Sequence, residues 1–287
     1  MKHSKTIVAL IGVITILAAV SAATGIFSSG GTGFYEYESI RGETVEIYGK
    51  GVYRHMSADV APQGIAQDVI TLFVAIPALL ISFALASRGS LRARYLLTGI
   101  LGYFLVTYFF YLVMAMYNVL FLAYVVLLGS SFFAFSLCLM SFDIANLPEK
   151  FSDAIPLKTA GGFLIFNTVS IAILWLGVVV PPLVDGSVIP QQTEHYTTLI
   201  VQGLDLALLL PLCFVSAVLF LKRAPIGYLL APVYLVFLTL MMLALTAKIV
   251  AIGMLGQVIF PVIIIIPSFM VAAGLLSWRV LAGLDRG

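Results

Sequence analysis

Charge is scarce in this sequence. Of 287 residues, 15 are Lys or Arg and 13 are Asp or Glu, 10% in all. Soluble domains carry about 25% charged residues, so this chain has too little polar surface to cover a single water-soluble core. The formal net charge is only +2, and the basic residues are scattered at the ends of apolar runs, which excludes a basic nucleic-acid face. Cysteine is scarcer still. Cys138 and Cys213 each lie inside an apolar run, a placement that fits packing and not a disulfide framework or a thiolate metal centre. There is no Walker loop, no HExxH, no GxSxG and no TVGYG filter. No run of carboxylates marks a proton pump, and no catalytic constellation is visible, so a membrane enzyme ranks third among the function classes.

What is abundant is apolar sequence, at 62% with a mean hydropathy of +1.13. A spanning helix needs about 20 mainly apolar residues. Eight runs qualify, at 6–27, 67–87, 94–116, 118–140, 159–182, 199–221, 227–249 and 256–279. The first run follows Lys2, His3 and Lys5, and Ser21-Ala22-Ala23 sits within it, so a cleaved secretory signal is an alternative reading. Continuation to Phe27 favours an uncleaved span.

Lys and Arg set the orientation. With the N-terminus inside, eleven fall on the inner side and four (Arg41, Lys50, Arg54 and Lys248) on the outer side. Both termini are then cytoplasmic, in the cell membrane.

Two stretches correspond. QDVITLFVAIPALLISFALASRGSLRARYLL begins at Gln67, and LDLALLLPLCFVSAVLFLKRAPIGYLL begins at Leu204. Pro77 to Ser82 and Pro211 to Ser216 are both five residues; Pro77 to Arg88 and Pro211 to Lys222 are both eleven. Tyr95-Leu96-Leu97 answers Tyr228-Leu229-Leu230. Four spans precede the second copy, so the expected fold is an all-α membrane protein of two parallel four-helix repeats. The first repeat covers 1–143, with an outer loop at 28–66. A cytoplasmic linker follows at 144–158, and the second repeat covers 159–287. Within the outer loop, Glu43–Tyr48 and Val52–His55 flank Gly49-Lys50-Gly51, which predicts a β-hairpin.

The intramembrane polar residues are the functional candidates. Asp68 and Asp205 each stand near the start of a helix, where the backbone dipole also favours a carboxylate. Lys248 is the natural counter-ion for either. Tyr103, Thr107 and Tyr111 share a helix face. Gln67, Asp68, Tyr111, Asn118, Gln202, Asp205 and Lys248 fall at one level and define a candidate outward-facing polar pocket between the repeats, for a small solute or ion. The competing reading is a set of satisfied structural contacts, with Asn118 in simple turn chemistry. His55, His195 and Glu194 are weak candidates for a metal site, since no ligand spacing supports them. No cofactor is expected. The expected partners are the bilayer, a small solute or ion, and a protein partner or second copy; nucleic acid is not. The leading function is transport or sensing, and the alternative is an accessory subunit that binds a protein through its outer loop.

Gln67-Asp68, Asn118-x-Leu120-Phe121, Leu204-Asp205-Leu206 and Pro211 resemble a family of multi-spanning prokaryotic integral membrane proteins with no assigned activity. The resemblance covers most of the chain after Tyr35 and implies a fold type without a reaction. It also implies a histidine where Gln202 stands here, so no role of that histidine carries over.

Overall fold

A computed structural model describes residues 4–284. Lys2 and Arg286, counted in the charge asymmetry, and His3 lie outside the described residues. Eight helices are long and apolar enough to cross a membrane. They are α1 (Ser4–Phe27), α2 (Ala61–Ser87), α3 (Leu91–Met114), α4 (Phe121–Leu139), α5 (Leu157–Asp185), α6 (Ile200–Leu221), α7 (Pro225–Met254) and α8 (Val262–Ala282). The chain is therefore a multi-pass membrane protein in contact with lipid. The expected runs match these helices. The largest differences are at α2, which starts at Ala61, and α8, which starts at Val262, each six residues from the expected start; α7 extends five residues further, to Met254.

Within the first four helices, α1 packs on α2 and α4, and α3 packs on α2 and α4. Within the last four, α5 packs on α6 and α8, and α7 packs on α6 and α8. Each set is thus a closed ring in the same order. The rings meet through α7, which lies against both α3 and α2. Close approach there depends on Gly99: a Cβ on it would stand 2.5 Å from the Val236 side chain and 2.8 Å from the Val233 carbonyl.

Both second helices contain one widened turn. In α2 it is Thr71–Ala75, and in α6 it is Asp205–Leu209. The Ile76 N–H donates to the Thr71 carbonyl, and the Leu210 N–H donates to the Asp205 carbonyl, each five residues back. A proline follows each turn, at Pro77 and Pro211. Proline supplies no N–H to the carbonyl four residues before it. The wider π turn is one way a helix absorbs that loss.

One end of the bundle carries a two-stranded antiparallel sheet, β1 (Tyr35–Glu38) and β2 (Thr44–Ile47). This corrects the expected hairpin register. Thr44–Ile47 is a strand, but its partner precedes it in the chain. Val52 and Tyr53 instead belong to a 3-10 turn at Gly51–Tyr53 and are buried. Gly49 and Gly51 have φ of +71° and +59°, a conformation open to glycine. They turn the chain inward, so Tyr53 enters the bundle and does not pair with β2. The second loop docks on the sheet end. The Arg41 guanidinium donates to the carbonyls of Glu194 and Tyr196, and the Ser57 N–H donates to Tyr196 Oη at 3.2 Å.

The opposite end is closed by the linker. Phe151 sits between Tyr95 and Tyr228, with ring centroids 5.9 and 5.3 Å away. Tyr95 Oη donates to the Tyr228 carbonyl at 2.9 Å. Arg92 donates to the carbonyls of Ala282, the last residue of α8, and of Leu284 just beyond it, where a cation also suits the helix dipole.

Candidate functional site

Asp68 is 1% exposed. A buried carboxylate is costly unless hydrogen-bonded, and two phenols serve it. Tyr53 Oη donates to Oδ2 at 2.6 Å, and Tyr111 Oη donates to Oδ1 at 2.9 Å. The Gly64 carbonyl, at 3.0 Å, competes for the Tyr111 proton. Burial first, and Asp68 next, push the Tyr53 phenol well above its ordinary pKa, so Tyr53 keeps its proton and remains a donor. Gly25 of α1 makes room for the group: a Cβ there would lie 1.7 Å from Asp68 Oδ2.

Gln67 continues the network inward. Its Nε2 donates to Tyr103 Oη at 2.8 Å and Thr107 Oγ1 at 3.0 Å. Thr71, which opens the wide turn of α2, meets Tyr103 Oη at 2.9 Å. The Tyr103–Thr107–Tyr111 face therefore points at α2, as its spacing indicates. Among the described residues, Gln67 Oε1 is buried without a partner, and so is Tyr124 Oη. Tyr108, Tyr111 and Tyr124 pack ring to ring, with centroids 5.4–6.2 Å apart. Tyr53 adds an edge contact to Tyr111 at 6.4 Å.

Asp205 is half-buried and accepts from Trp175 Nε1 at 2.8 Å. It opens the wide turn of α6, whereas Asp68 lies three residues before that of α2. The two carboxylates are therefore not in matching places. Asp205 stands where α2 has Thr71, and Gln202 stands where α2 has Asp68. Gln202 is half-buried, and among the described residues its side chain has no hydrogen-bond partner.

Lys248 does not form the expected direct pair with Asp205 or Asp68. Among the described residues the one salt bridge is Arg223–Asp153, at 3.4 Å and exposed. The carboxylate oxygens are engaged instead by Trp175, Tyr53 and Tyr111.

Asn118 shows turn chemistry. Its Nδ2 donates to the carbonyls of Ala115 and Met116, and its Oδ1 accepts from the Leu120 N–H. It also lines a cleft of ≈ 230 Å³ between the α3–α4 turn and residues 195–200. Tyr111 and Tyr124 lie on the wall of that cleft. The structure thus brings Gln67, Asp68 and Tyr111 together, places Asn118 beside them, and leaves Gln202, Asp205 and Lys248 outside that hydrogen-bond network.

His195 and His55 do meet, but through His195 Nε2 and the His55 backbone carbonyl, at 3.0 Å. The His55 side chain is exposed. Among the described residues, no group of three His, Cys, Asp or Glu side chains is placed to hold a metal. The His55, His195 and Glu194 candidate therefore has no geometric support.

The sequence reading did not single out Tyr53, Tyr124, Gly25 or Trp175. A tyrosine or tryptophan in an apolar run needs a partner for its polar atom, and that signal was available for Tyr124 and Trp175. Nothing in the sequence points to Gly25. Comparison with known proteins gives no matching family model, no matching curated protein and no matching solved structure.

Proposed function

We propose that this membrane protein binds a small polar solute or ion in the cleft between its two four-helix halves, for transport or sensing. One observation carries the reading: Tyr111 lines the cleft and its hydroxyl also holds Asp68. A solute in the cleft is thereby one side chain from a carboxylate in the bundle. Intramembrane ionisable groups of this kind mark sites.

The two halves are read as a parallel duplication. Their matching ring order and the wide turn before Pro77 and Pro211 support it. The excess of Lys and Arg at the linker end supports a cytoplasmic linker and an external cleft. The cell membrane is the expected location.

The test is solute binding by the full chain in detergent. Tyr111→Phe and Asp68→Asn should weaken binding at least tenfold while the protein stays monodisperse. Unchanged binding by both variants overturns the reading.

A second reading rests on β1. All four of its residues are exposed, and its outer edge is unpaired, whereas the outer edge of β2 is covered by residues 57–58. Ile40 beside it is 89% exposed. An open edge with apolar neighbours suits a protein partner that adds a strand. Co-purification that is lost on Ile40→Asp supports this reading, and purification of the chain alone argues against it.

A further inference from the structure

We infer that the cleft selects an organic cation: a small ammonium head held by aromatic faces in front of the Asp68 carboxylate. This rests on the reading of the cleft as a solute site and names its ligand class.

The wall chemistry comes first. Three aromatic pairs line the cleft: Tyr117 with Phe121, Tyr111 with Tyr124, and His195 with Tyr196. Their ring centroids are 5.0, 5.4 and 4.4 Å apart. No Lys, Arg, Asp or Glu side chain lines it. Aromatic faces attract cations through the negative face of the ring. An anion would find no Lys or Arg here, only the imidazole of His195.

The second observation is the acid behind the wall. Tyr111 Oη donates to Asp68 Oδ1 at 2.9 Å, so a cation against the Tyr111 ring lies one side chain from a carboxyl group. A nearby cation favours the ionised form of that group. Tyr111 also passes the carboxylate's influence outward. A phenol that donates to a carboxylate becomes more electron-rich, so its ring and oxygen attract a cation more strongly.

The third observation is size. The volume of ≈ 230 Å³ is below the roughly 300–1,000 Å³ of drug-sized sites, so the ligand is small.

The experiment uses the full chain in lipid nanodiscs and titration calorimetry with three probes: tetramethylammonium chloride, neutral tert-butanol of similar shape, and sodium acetate. Tetramethylammonium should bind saturably and at least tenfold more tightly than tert-butanol, with no binding of acetate. Asp68→Asn should lower the cation affinity at least tenfold. Asp68 is buried, so Tyr117→Ala provides a second variant at an exposed position. It should lower the affinity about threefold, the scale of one exposed cation–π contact, and Tyr117→Phe should restore it. Equal binding of tert-butanol, or preference for acetate, overturns the cation assignment and leaves the cleft as a solute site. Cation affinity unchanged in both Asp68→Asn and Tyr117→Ala also overturns it. If none of the three probes gives a signal that Thr197→Trp at the cleft wall abolishes, both this inference and the solute-site reading fall.

Discussion

Tyr53 lies in a loop and Asp68 in a span, yet the Tyr53 hydroxyl stands 2.6 Å from Asp68 Oδ2. The loop therefore supplies a donor to the interior of the bundle. Tyr53→Phe keeps the ring and removes that donor. Hydrogen bonds to charged groups contribute about 1.5–3 kcal/mol, and a loss of that size is expected. Thermal unfolding in detergent measures it. Tyr111→Phe should cost a similar amount. The double variant should depart from additivity, because both phenols serve one carboxylate.

Gly25 faces the same carboxylate from α1. Gly25→Ala places a methyl group within bonding distance of Oδ2, so the carboxylate must leave its two phenols. The expected loss exceeds that of Tyr53→Phe. Gly12 of the same helix has open space around it, and Gly12→Ala should be close to neutral. Comparing the two melting curves separates a local clash from a general effect on α1.

Arg41 ties the second loop to the sheet end through two backbone carbonyls. Arg41→Ala leaves those carbonyls to water and loosens the segment around Glu194–Tyr196. Proteolytic cleavage within 186–198 should speed up several-fold, with the helices unchanged by circular dichroism. Equal cleavage rates would show that the remaining contacts of Tyr196 hold the loop unaided.

Glu194 gives the loop a pH dependence. Burial, the largest cause, and Asp59 raise its carboxyl above the usual value of 4.5, against the opposing pull of Ser57 and His195. The folded loop therefore binds the proton more tightly than the released loop does. Docking is strongest below 4.5 and weakens as pH rises from there through the raised value. Glu194→Gln should flatten that part of the profile. Cleavage rate within the loop, measured across pH with an acid-tolerant protease, checks it.

The eight spans were legible because lipid demands long apolar runs, and few other structures satisfy that demand. Gln67, Asp68 and Tyr111 were legible for a related reason: polar atoms at that depth need partners. Tyr53 was not, because it reaches Asp68 through two glycine turns whose direction no local pattern encodes. The hairpin register failed for the same reason. Glu43–Tyr48 alternates as a strand should, but Val52 and Tyr53 are taken by the bundle, so Tyr35–Glu38 became the partner. Asp68 stands nine residues before Pro77 and Asp205 six before Pro211, and the wide turns before those prolines fix which residues correspond. Those turns lie in uniformly apolar sequence, where only the proline marks them. The Trp175–Asp205 contact joins residues thirty apart on different helices and leaves no trace in spacing.

The wedge of Phe151 between Tyr95 and Tyr228 has a mechanical consequence. Separating the halves at that end must extract a phenylalanine from two tyrosine rings and break the Tyr95 hydrogen bond. A rocking movement that keeps those contacts has its fulcrum there, and its largest excursion falls at the far rim, where Tyr117 and Tyr196 line the cleft.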